Sequence, residues 1–461
     1  MSDAFTARRP SFGAPVTHGS LLRFAEDPIA CMKQLHQRHG DVAVMEQDDR
    51  RLVFVFSPEL NRQVLASPSM FLSMFFSVRG GRRSSQRRLT SGLLSQNGTE
   101  HRDTRRVLKE TFGKRVLQEY HPTICRLTQG LMENWEPGQQ HDLNHEMVQF
   151  MLGMTSALLF GLEDQTFAAE LGLLIDRWAH RNHEVGMGAL VSSPEFTDSY
   201  DELLSQADEL ECKIHELFRR HQDAFHNGPT AELHPGERRS SVLSLLFEAQ
   251  RNGAPISSDQ MVGHATLLFA AAHLTTAHTF SWTLFLLAQH PQVMAAVRDE
   301  IRRNVAGDIP THEEQESLTL LTQVIQESMR VLPASSYSQR VAAEPVTLGG
   351  VRLSPWTPVV FSQYITHHRE DLFPAADQFR PERWKTATPS PYEYLPFGAG
   401  PRMCIGAPLA MVELRTALCL ILKRFHFQIE AESTVDGHVV STMLGPTSPI
   451  RAKLLPVDQL P

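Results

Sequence analysis

A glycine-rich stretch late in the chain presents one cysteine, in the sequence Phe397-Gly-Ala-Gly-Pro-Arg-Met-Cys404-Ile-Gly406. Glycines at 398 and 400 permit positive φ angles and the close approach of a flat group. Pro408 is tolerated in the first turn of a following helix, because its missing N–H would be unpaired there anyway. Loop amides and a helix N-terminus favour a thiolate over a thiol. Cys404 therefore has the setting of a nucleophile, a redox sensor or a metal ligand.

Other kinds of cysteine and glycine site are excluded. Four further cysteines (Cys31, Cys125, Cys212 and Cys419) are more simply structural residues. Five widely spaced cysteines without a CxxC pair support neither a disulfide framework nor a zinc knuckle. The stretch is not a dinucleotide-binding loop either, since Met403 stands where its third glycine would be.

Composition sets the class of protein that must position Cys404. The chain has 461 residues, 41% hydrophobic and 21% charged, which is enough apolar material for a large core. A net charge of −8 argues against nucleic-acid binding. The first residues lack the apolar run of a signal peptide or a membrane anchor, and few cysteines indicate a reducing compartment. We therefore expect a soluble, cytoplasmic protein.

The predicted elements are mostly helical. Apolar periodicity predicts helices at 98–112, 116–135, 143–160, 196–225, 257–287 and 405–425. Short β-like runs predict a hairpin from 41–46 and 51–57 and strands at 341–348, 351–353 and 358–362. Helix starts or breaks are expected at Pro122, Pro194 and Pro291. The fold class is mainly α with a smaller β region (α+β), as an N-terminal extension (1–26) and one domain (27–461).

The stretch from Phe397 to Gly406 resembles the haem-binding loop F-G-x-G-x-R-x-C-x-G of the cytochrome P450 family at every defined position. The resemblance implies a single haem domain from about Asp27 onward, with haem b (iron protoporphyrin IX) as cofactor. It also implies that Cys404 is the axial iron ligand and that Phe397, Gly398, Arg402 and Gly406 contact the cofactor. A cysteine thiolate pushes electron density onto iron and favours O–O cleavage.

Two charged motifs precede the cysteine in the same order as in that family. Glu327-Ser-Met-Arg330 places both charges on one helix face, and Pro381-Glu-Arg383-Trp follows about fifty residues later. An isolated pair with this spacing is more often a solvated helix pair. The order of the motifs implies that Glu327, Arg330 and Arg383 form a buried structural charge network.

A second set of basic residues matches the family's cofactor contacts. His101 and Arg105 lie at i and i+4 on one helix face, which by itself is also typical of a solvated basic surface. They resemble the family's H-x-x-x-R pair, and Arg340 and Arg402 resemble its other propionate donors. Two propionates need paired cationic donors, for which arginine is well suited.

The segment Ala271-Ala272-His273-Leu274-Thr275-Thr276 resembles the family's A-G-x-[DE]-T-T. The resemblance implies that Ala271 and Ala272 border an oxygen groove beside the haem, and that Thr275 and Thr276 are catalytic. Small residues and threonines are also common in a core helix. Leu274 replaces the usual acid, so proton delivery must use water, Thr275, Thr276 or His273. Helix geometry, however, points His273 away from Thr275.

The substrate side is predicted to be apolar, which favours a hydrophobic small molecule. Its expected lining residues are Phe75, Phe76, Met187, Leu268, Ala334 and Tyr337, although such residues more often form a core. The arginine-rich run 79–88 is more simply a solvated loop than a carboxylate site, and His367-His368 is more simply surface.

These observations favour a monooxygenase that inserts one oxygen atom of O2 into its substrate. The remaining length has no room for a flavin or ferredoxin domain, so a separate ferredoxin or flavoprotein is the expected electron donor. Leu274 leaves open a peroxide-driven peroxygenase or a haem-thiolate isomerase. A non-catalytic protein that binds haem or a ligand is the alternative from another class.

Overall fold

The computed structural model describes residues 16–74, 78–191, 196–227, 241–429 and 435–457. Within helices, the side chains of Leu22, 187–191, 196–198 and 224–227 lie outside this description. The helices are α1 (Leu22–Glu26), α2 (Pro28–His39), α3 (Pro58–Ala66), α4 (Ser85–Leu89), α5 (Gly98–Glu110), α6 (Lys114–Glu133), α7 (Leu143–Thr155), α8 (Gln165–Val191), α9 (Phe196–Asn227), α10 (Val242–Arg251), α11 (Ser258–Gln289), α12 (Pro291–Asn304), α13 (His312–Ser317), α14 (Thr319–Val331), α15 (Gln363–His367) and α16 (Ala407–Arg424).

The strands form a smaller β region. They are β1 (Val16–His18), β2 (Val42–Gln47), β3 (Arg50–Val55), β4 (Phe71–Leu72), β5 (Gln140–Asp142), β6 (Ser338–Ala342), β7 (Val346–Leu348), β8 (Val351–Leu353), β9 (Pro358–Phe361), β10 (Phe425–Ile429), β11 (Gly437–Val440), β12 (Met443–Pro446) and β13 (Arg451–Pro456). One six-stranded sheet has the order β1-β2-β3-β9-β6-β4, and smaller sheets are β10-β13-β5, β11-β12 and β7-β8. The predicted α+β class is confirmed.

The hairpin of β2 and β3 shows how local sequence builds the sheet. Gln47 pairs with Arg50, which leaves Asp48 and Asp49 as a two-residue turn. Asp48 has a φ of 54°, a left-handed conformation that aspartate tolerates better than most residues. Along β3 successive side chains alternate between two apolar clusters, so both faces of the sheet are buried.

Helix α11 crosses the main hydrophobic cluster. It begins with a capping box, in which Ser257 and Gln260 satisfy each other's backbone amides. Phe269, Phe280 and Leu284 are fully buried and share this cluster with α7, α14 and α16. None of the helices in the described ranges combines the length and the apolar character needed to cross a bilayer.

Two proline predictions can be compared with the structure. Pro291 starts α12, as expected, whereas Pro122 lies inside the continuous helix α6 and neither starts nor ends it. Buried side chains on both sides of Pro122, including Tyr120 and Ile124, hold α6 in the main cluster, and this packing outweighs the lost hydrogen bond. Pro194 lies outside the described residues.

The N-terminal segment packs onto the sheet. Strand β1 pairs in parallel with β2, and Phe24 contacts Phe54 edge-on with ring centroids 5.2 Å apart. The division of the chain at residue 27 stays a prediction.

Candidate functional site

The cysteine loop is a tight backbone structure at the start of α16. The Cys404 amide donates to the Phe397 carbonyl at 2.8 Å, and Gly398 and Gly400 have φ angles of 66° and 71°. Gly406 precedes the helix, which places Pro408 in the first turn. The loop thus has the geometry that the glycine spacing predicts.

The Cys404 thiol is accessible and yet strongly desolvated. The side chain of Cys404 is exposed, yet the protein packed around it removes most of its hydration, and this is the main cause that raises the pKa of the thiol. Amides of Gly406 and Ala407 and the positive charge of Arg105 lower this pKa, but burial outweighs them. The thiol therefore faces a space inside the molecule, where deprotonation requires a strong cationic partner such as a metal ion.

Gly400 is expected to be the less replaceable of the two loop glycines. A Cβ atom at 400 would lie 2.3 Å from the Leu65 carbonyl oxygen, whereas a Cβ at 398 would meet nothing within 4 Å. Gly398→Ala should lower the free energy of unfolding by about 1–2 kcal/mol, because alanine is strained in the left-handed conformation. Gly400→Ala adds the clash with Leu65 and should lower it by at least twice as much. Urea unfolding of both variants measures the difference, and equal losses would contradict the role of the Leu65 contact.

Four basic side chains gather beside this loop. Arg105 donates to the Met403 carbonyl at 2.6 Å, and Arg402 donates to the Gln96 carbonyl and, at 2.8 Å, to Asn97 Oδ1. Burial and the neighbouring Arg402, Arg105 and Arg340 lower the pKa of His101 to about 4. Burial lowers the pKa of Arg340 to about 10. Burial, together with the positive charges of Arg340 and Arg105, lowers the pKa of Arg402 to about 10.

This cluster lacks a counter-charge within the described part of the chain. No carboxylate there contributes to the pKa of any of the four basic groups. The Nε atom of Arg402 is also buried without a hydrogen-bond partner. The three desolvated guanidinium groups of Arg105, Arg340 and Arg402 need an anion, and the neutral His101 can donate a hydrogen bond to it. A ligand with two carboxylates satisfies that need, so the residues present fit the two propionates of haem b.

Helix α11 presents an accessible face in the middle of an otherwise buried helix. Ala271 is exposed, and Leu268, Ala272 and Thr275 are partly exposed, whereas 261–267 and 279–287 are buried. Thr275 Oγ1 donates to the Ala271 carbonyl at 2.8 Å. Thr276 is buried in the helix packing. The accessible face thus contains the small residues and the threonine hydroxyl that the sequence singled out.

His273 points away from this face, as helix geometry predicts. Its Nδ1 lies 2.8 Å from the Phe269 carbonyl and its Nε2 lies 3.1 Å from Asp176 Oδ1 on α8. The imidazole is fully buried between the two helices. This contact joins α8 to α11. Thr275 has no titratable neighbour at position 274, because that residue is a leucine.

Two histidines that sequence reasoning missed lie on the same face of α11 as Thr275. His264 and His278 continue the spacing 264, 268, 271, 275, 278, which marks one face of a helix. Burial lowers the pKa of each to about 4, so both are neutral near pH 7. His278 packs against Gly445, where a Cβ would lie 2.5 Å from the ring, and its Nδ1 has no partner. The helical spacing alone was the available signal.

His264 should make the stability of the protein sensitive to acid. Neither ring nitrogen has a hydrogen-bond partner and the residue is 1% exposed. Its pKa rises from about 4 to its ordinary 6.5 on unfolding, so the unfolded chain gains a proton as pH falls through this window. The free energy of unfolding should therefore fall by about 1.4 kcal/mol per pH unit from this residue. His264→Leu should flatten urea-unfolding data between pH 6.5 and 4; an unchanged slope would contradict this.

The structure brings Glu327, Arg330 and Arg383 together. The fully buried Glu327 carboxylate accepts from Arg330 at 2.8 and 3.0 Å, from Arg383 Nε at 2.8 Å and from Trp384 Nε1 at 2.9 Å. Arg330 also donates to the carbonyls of His367, Ala376 and Gln378. Every oxygen and nitrogen of this ion pair is thus hydrogen-bonded, the condition under which a buried pair is tolerated.

The expectation that His367 lies at the surface is wrong. His367 is fully buried. Its carbonyl and its Nε2 tolerate burial because the carbonyl accepts from Arg330 and Nε2 accepts from the Leu395 amide at 2.8 Å. The Leu395 carbonyl in turn accepts from the Gly398 amide at 3.0 Å. A continuous chain of hydrogen bonds therefore connects the Glu327 network to the cysteine loop.

The predicted substrate-pocket residues are only partly described. Phe75 and Phe76 and the Met187 side chain lie outside the described residues. Ala334 is buried, and its carbonyl accepts from the Leu444 amide at 2.9 Å. Tyr337 is a core residue that packs edge-on against Phe24 and donates to the Ser441 carbonyl at 2.7 Å. Among the described members of the predicted set, Leu268 lies on the accessible face of α11.

Comparison with known proteins gives one consistent family. The model of the family Cytochrome P450 matches residues 10–453. Cyclooctatin synthase of Streptomyces melanosporofaciens is 27% identical, over 90% of this chain and 89% of its own length. Cyclooctat-9-en-7-ol 5-monooxygenase of the same organism is 27% identical over 85% and 83%, and cytokinin hydroxylase of Arabidopsis thaliana is 28% identical over 80% and 72%.

A solved structure agrees in fold. Retinoic acid-bound cyanobacterial CYP120A1 superposes with a TM-score of 0.80 over 97% of this chain and 100% of its own, at 21% identity. At that identity the likeness concerns the fold alone. Together with the family match over nearly the whole sequence, it means that the chain belongs to the cytochrome P450 family, as a monooxygenase whose cofactor is haem b.

Proposed function

We propose that this chain inserts one oxygen atom of O2 into a hydrophobic small molecule, with electrons supplied by a separate ferredoxin or flavoprotein. The observation that carries the proposal is the accessible Cys404 thiol beside three arginine cations and the neutral His101, for none of which a carboxylate of the described residues is a partner. Bound haem b supplies the redox-active iron at which oxygen is activated. We also propose a cytoplasmic location, on the grounds of the cysteine usage.

The residues around the loop are proposed to hold the cofactor. Cys404 ligates the iron, and the amides of Gly406 and Ala407 donate to its sulfur, which favours the thiolate form. His101, Arg105, Arg340 and Arg402 hold the propionates through charge-assisted hydrogen bonds. Phe397, Gly398 and the small side chains of Ala271 and Ala272 leave room for the macrocycle and for oxygen.

Thr275 is the proposed proton donor on the accessible face of α11. Its hydroxyl can release the Ala271 carbonyl, to which it donates, and turn toward a group bound beside the helix. Thr276 and a water molecule are the proposed further members of the relay, since Leu274 is not ionisable and His273 is engaged with Asp176.

Thr275→Ala should therefore divert reducing equivalents from product to hydrogen peroxide. Loss of a positioned proton donor typically lowers the assisted step about 10²-fold or more. Thr275→Ser keeps the hydroxyl and should retain most of the product yield. The measurement is product and peroxide formed per NAD(P)H consumed. Equal product yields for the alanine variant and the unmodified enzyme would contradict a role for this hydroxyl.

One experiment separates the proposal from its rivals. Ligands are first screened by their shift of the haem spin state, and each binder is then supplied with hydrogen peroxide alone or with a ferredoxin, its reductase and NAD(P)H. Turnover with the electron donor supports the monooxygenase. Efficient turnover with peroxide only would instead establish a peroxygenase, for which Leu274 is the motivating residue. Conversion of the binder to an isomer with neither oxidant would establish an isomerase. A spin-state shift without any product would indicate a non-catalytic binding protein.

A further inference from the structure

A small polar cleft lies apart from the proposed cofactor contacts. It has a volume of about 140 Å³ and is lined mainly by Arg79, Arg87, Ser91, Ser95, Gln96 and Glu100; we call it the arginine cleft. Arg402 donates to the Gln96 carbonyl and to Asn97, so the segment that lines the arginine cleft is also bonded to the cation cluster beside Cys404. None of the basic residues of that cluster lines the cleft itself.

Two arginines line the cleft, of which Arg79 is half-buried and Arg87 is exposed. Arg79 donates to the Ser95 carbonyl at 2.7 Å, and neither Arg79 nor Arg87 forms an ion pair within the described part of the chain. Burial and then the charge of Arg87 lower the pKa of Arg79, whereas the Glu100 carboxylate in the same lining raises it. Burial and Arg87 together outweigh Glu100, and a bound anion would offset this excess of positive charge.

Two buried oxygen atoms in the same cleft lack partners. Ser95 and Gln96 are each 3% exposed, and neither Ser95 Oγ nor Gln96 Oε1 has a hydrogen-bond partner. An unsatisfied buried polar group costs about 1–3 kcal/mol. The Ser95 hydroxyl can donate to an anion, whereas Gln96 Oε1 can only accept. A ligand that satisfies both atoms carries a donor beside its negative charge.

The charge of the lining limits the ligand further. Two arginines and one glutamate make the cleft suitable for a single negative charge, and the Glu100 carboxylate disfavours a doubly charged phosphate. Glu100 is held in place by Gln260, whose Nε2 donates to it at 2.9 Å. Arginine pairs with a carboxylate through two parallel hydrogen bonds. The small volume accommodates a carboxylate and its first substituent.

We infer that the arginine cleft binds the carboxylate of a hydroxy acid, with the carboxylate on Arg79, Arg87 and Ser95 and the neighbouring hydroxyl on Gln96. The acid is either a free small molecule or the polar end of a hydrophobic substrate. The second source rests on the proposed function, whereas the first does not.

The inference is tested by calorimetric titration of the haem-loaded protein with lactate, propionate and inorganic phosphate. Each titration is run at two temperatures, because a binding enthalpy that happens to be zero at one temperature would otherwise be mistaken for absence of binding. Lactate should bind about tenfold more tightly than propionate, because it supplies the donor to Gln96. Arg79→Gln and Arg87→Gln should each weaken lactate binding at least tenfold, whereas Arg83→Gln should not, because Arg83 is exposed like Arg87 but does not line the cleft. No saturable lactate binding, tighter phosphate than lactate, or equal effects of the three variants would each overturn the inference.

A second titration identifies the source of the acid. If the cleft holds the polar end of a substrate, 2-hydroxydodecanoate should shift the haem spin state with an affinity that falls at least tenfold in Arg79→Gln. If the cleft holds a separate acid, lactate should bind without a spin-state shift. The alkyl chain of 2-hydroxydodecanoate should then not increase its affinity over that of lactate. Lactate should still bind to the Cys404→Ser variant, because Cys404 does not line the arginine cleft. A failure of the proposed function can therefore be told apart from a failure of this inference.

Discussion

Replacement of Cys404 by serine should abolish the red-shifted Soret band of the reduced, carbon monoxide-bound protein, together with all O2-dependent turnover. The band reports a thiolate on the iron, and no other cysteine lies in the loop that presents residue 404. The serine hydroxyl is a far poorer iron ligand than a thiolate at neutral pH. The loop itself should persist, because its hydrogen bonds are made by backbone atoms of Phe397, Gly400 and Cys404.

The exposed Cys212 of α9 provides the matched control. Cys212→Ser removes a thiol of similar exposure and should leave the spectrum and the turnover unchanged, and Cys31→Ser should behave in the same way. A thiolate-type band that survives in Cys404→Ser, or disappears in Cys212→Ser, would assign the iron ligand to another residue.

Glu327→Gln should lower the free energy of unfolding by about 3–5 kcal/mol, a large share of the 5–15 kcal/mol typical of native proteins. The substitution keeps the shape of the side chain but removes the negative charge between Arg330 and Arg383. It therefore leaves a fully buried guanidinium without a counter-charge. The carboxylate now accepts hydrogen bonds from Arg380, Arg383 and Trp384. The amide of glutamine would place an N–H donor against these donors. Urea unfolding of the haem-free protein at pH 7 measures the loss.

Glu382→Gln is the matched control in the same segment. Glu382 pairs with Arg380 at 2.9 Å, but both side chains are about half exposed, so its loss should cost no more than about 1 kcal/mol. Similar denaturation midpoints for Glu327→Gln and Glu382→Gln would show that the buried network contributes no more than a surface pair.

Local sequence predicted the elements that carry their own signals. The predicted helices around α5, α6, α9, α11 and α16 end within about two residues of the observed ends, because the apolar periodicity that defines each helix lies within its own segment. The β2–β3 hairpin was foreseen for the same reason. The glycine loop was recognisable because its constraints on φ are written in consecutive residues.

Features that depend on distant partners could not be predicted in this way. Strand β4 exists because Phe71 pairs with Ala342, and β1 is held by β2, with which it runs in parallel. The burial of His367 depends on Arg330 and Leu395, and nothing in the His367-His368 pair itself indicates this. The arginine cleft was interpreted as a solvated loop, since only the fold shows that Ser95 and Gln96 are buried beneath it.

The hydrogen-bonded path from Glu327 through Arg330, His367 and Leu395 to Gly398 is built from protein atoms alone. The position of the cysteine loop therefore depends on residues that lie up to about seventy positions earlier in the sequence. A substitution that disturbs Glu327 or His367 should propagate to the backbone that presents Cys404.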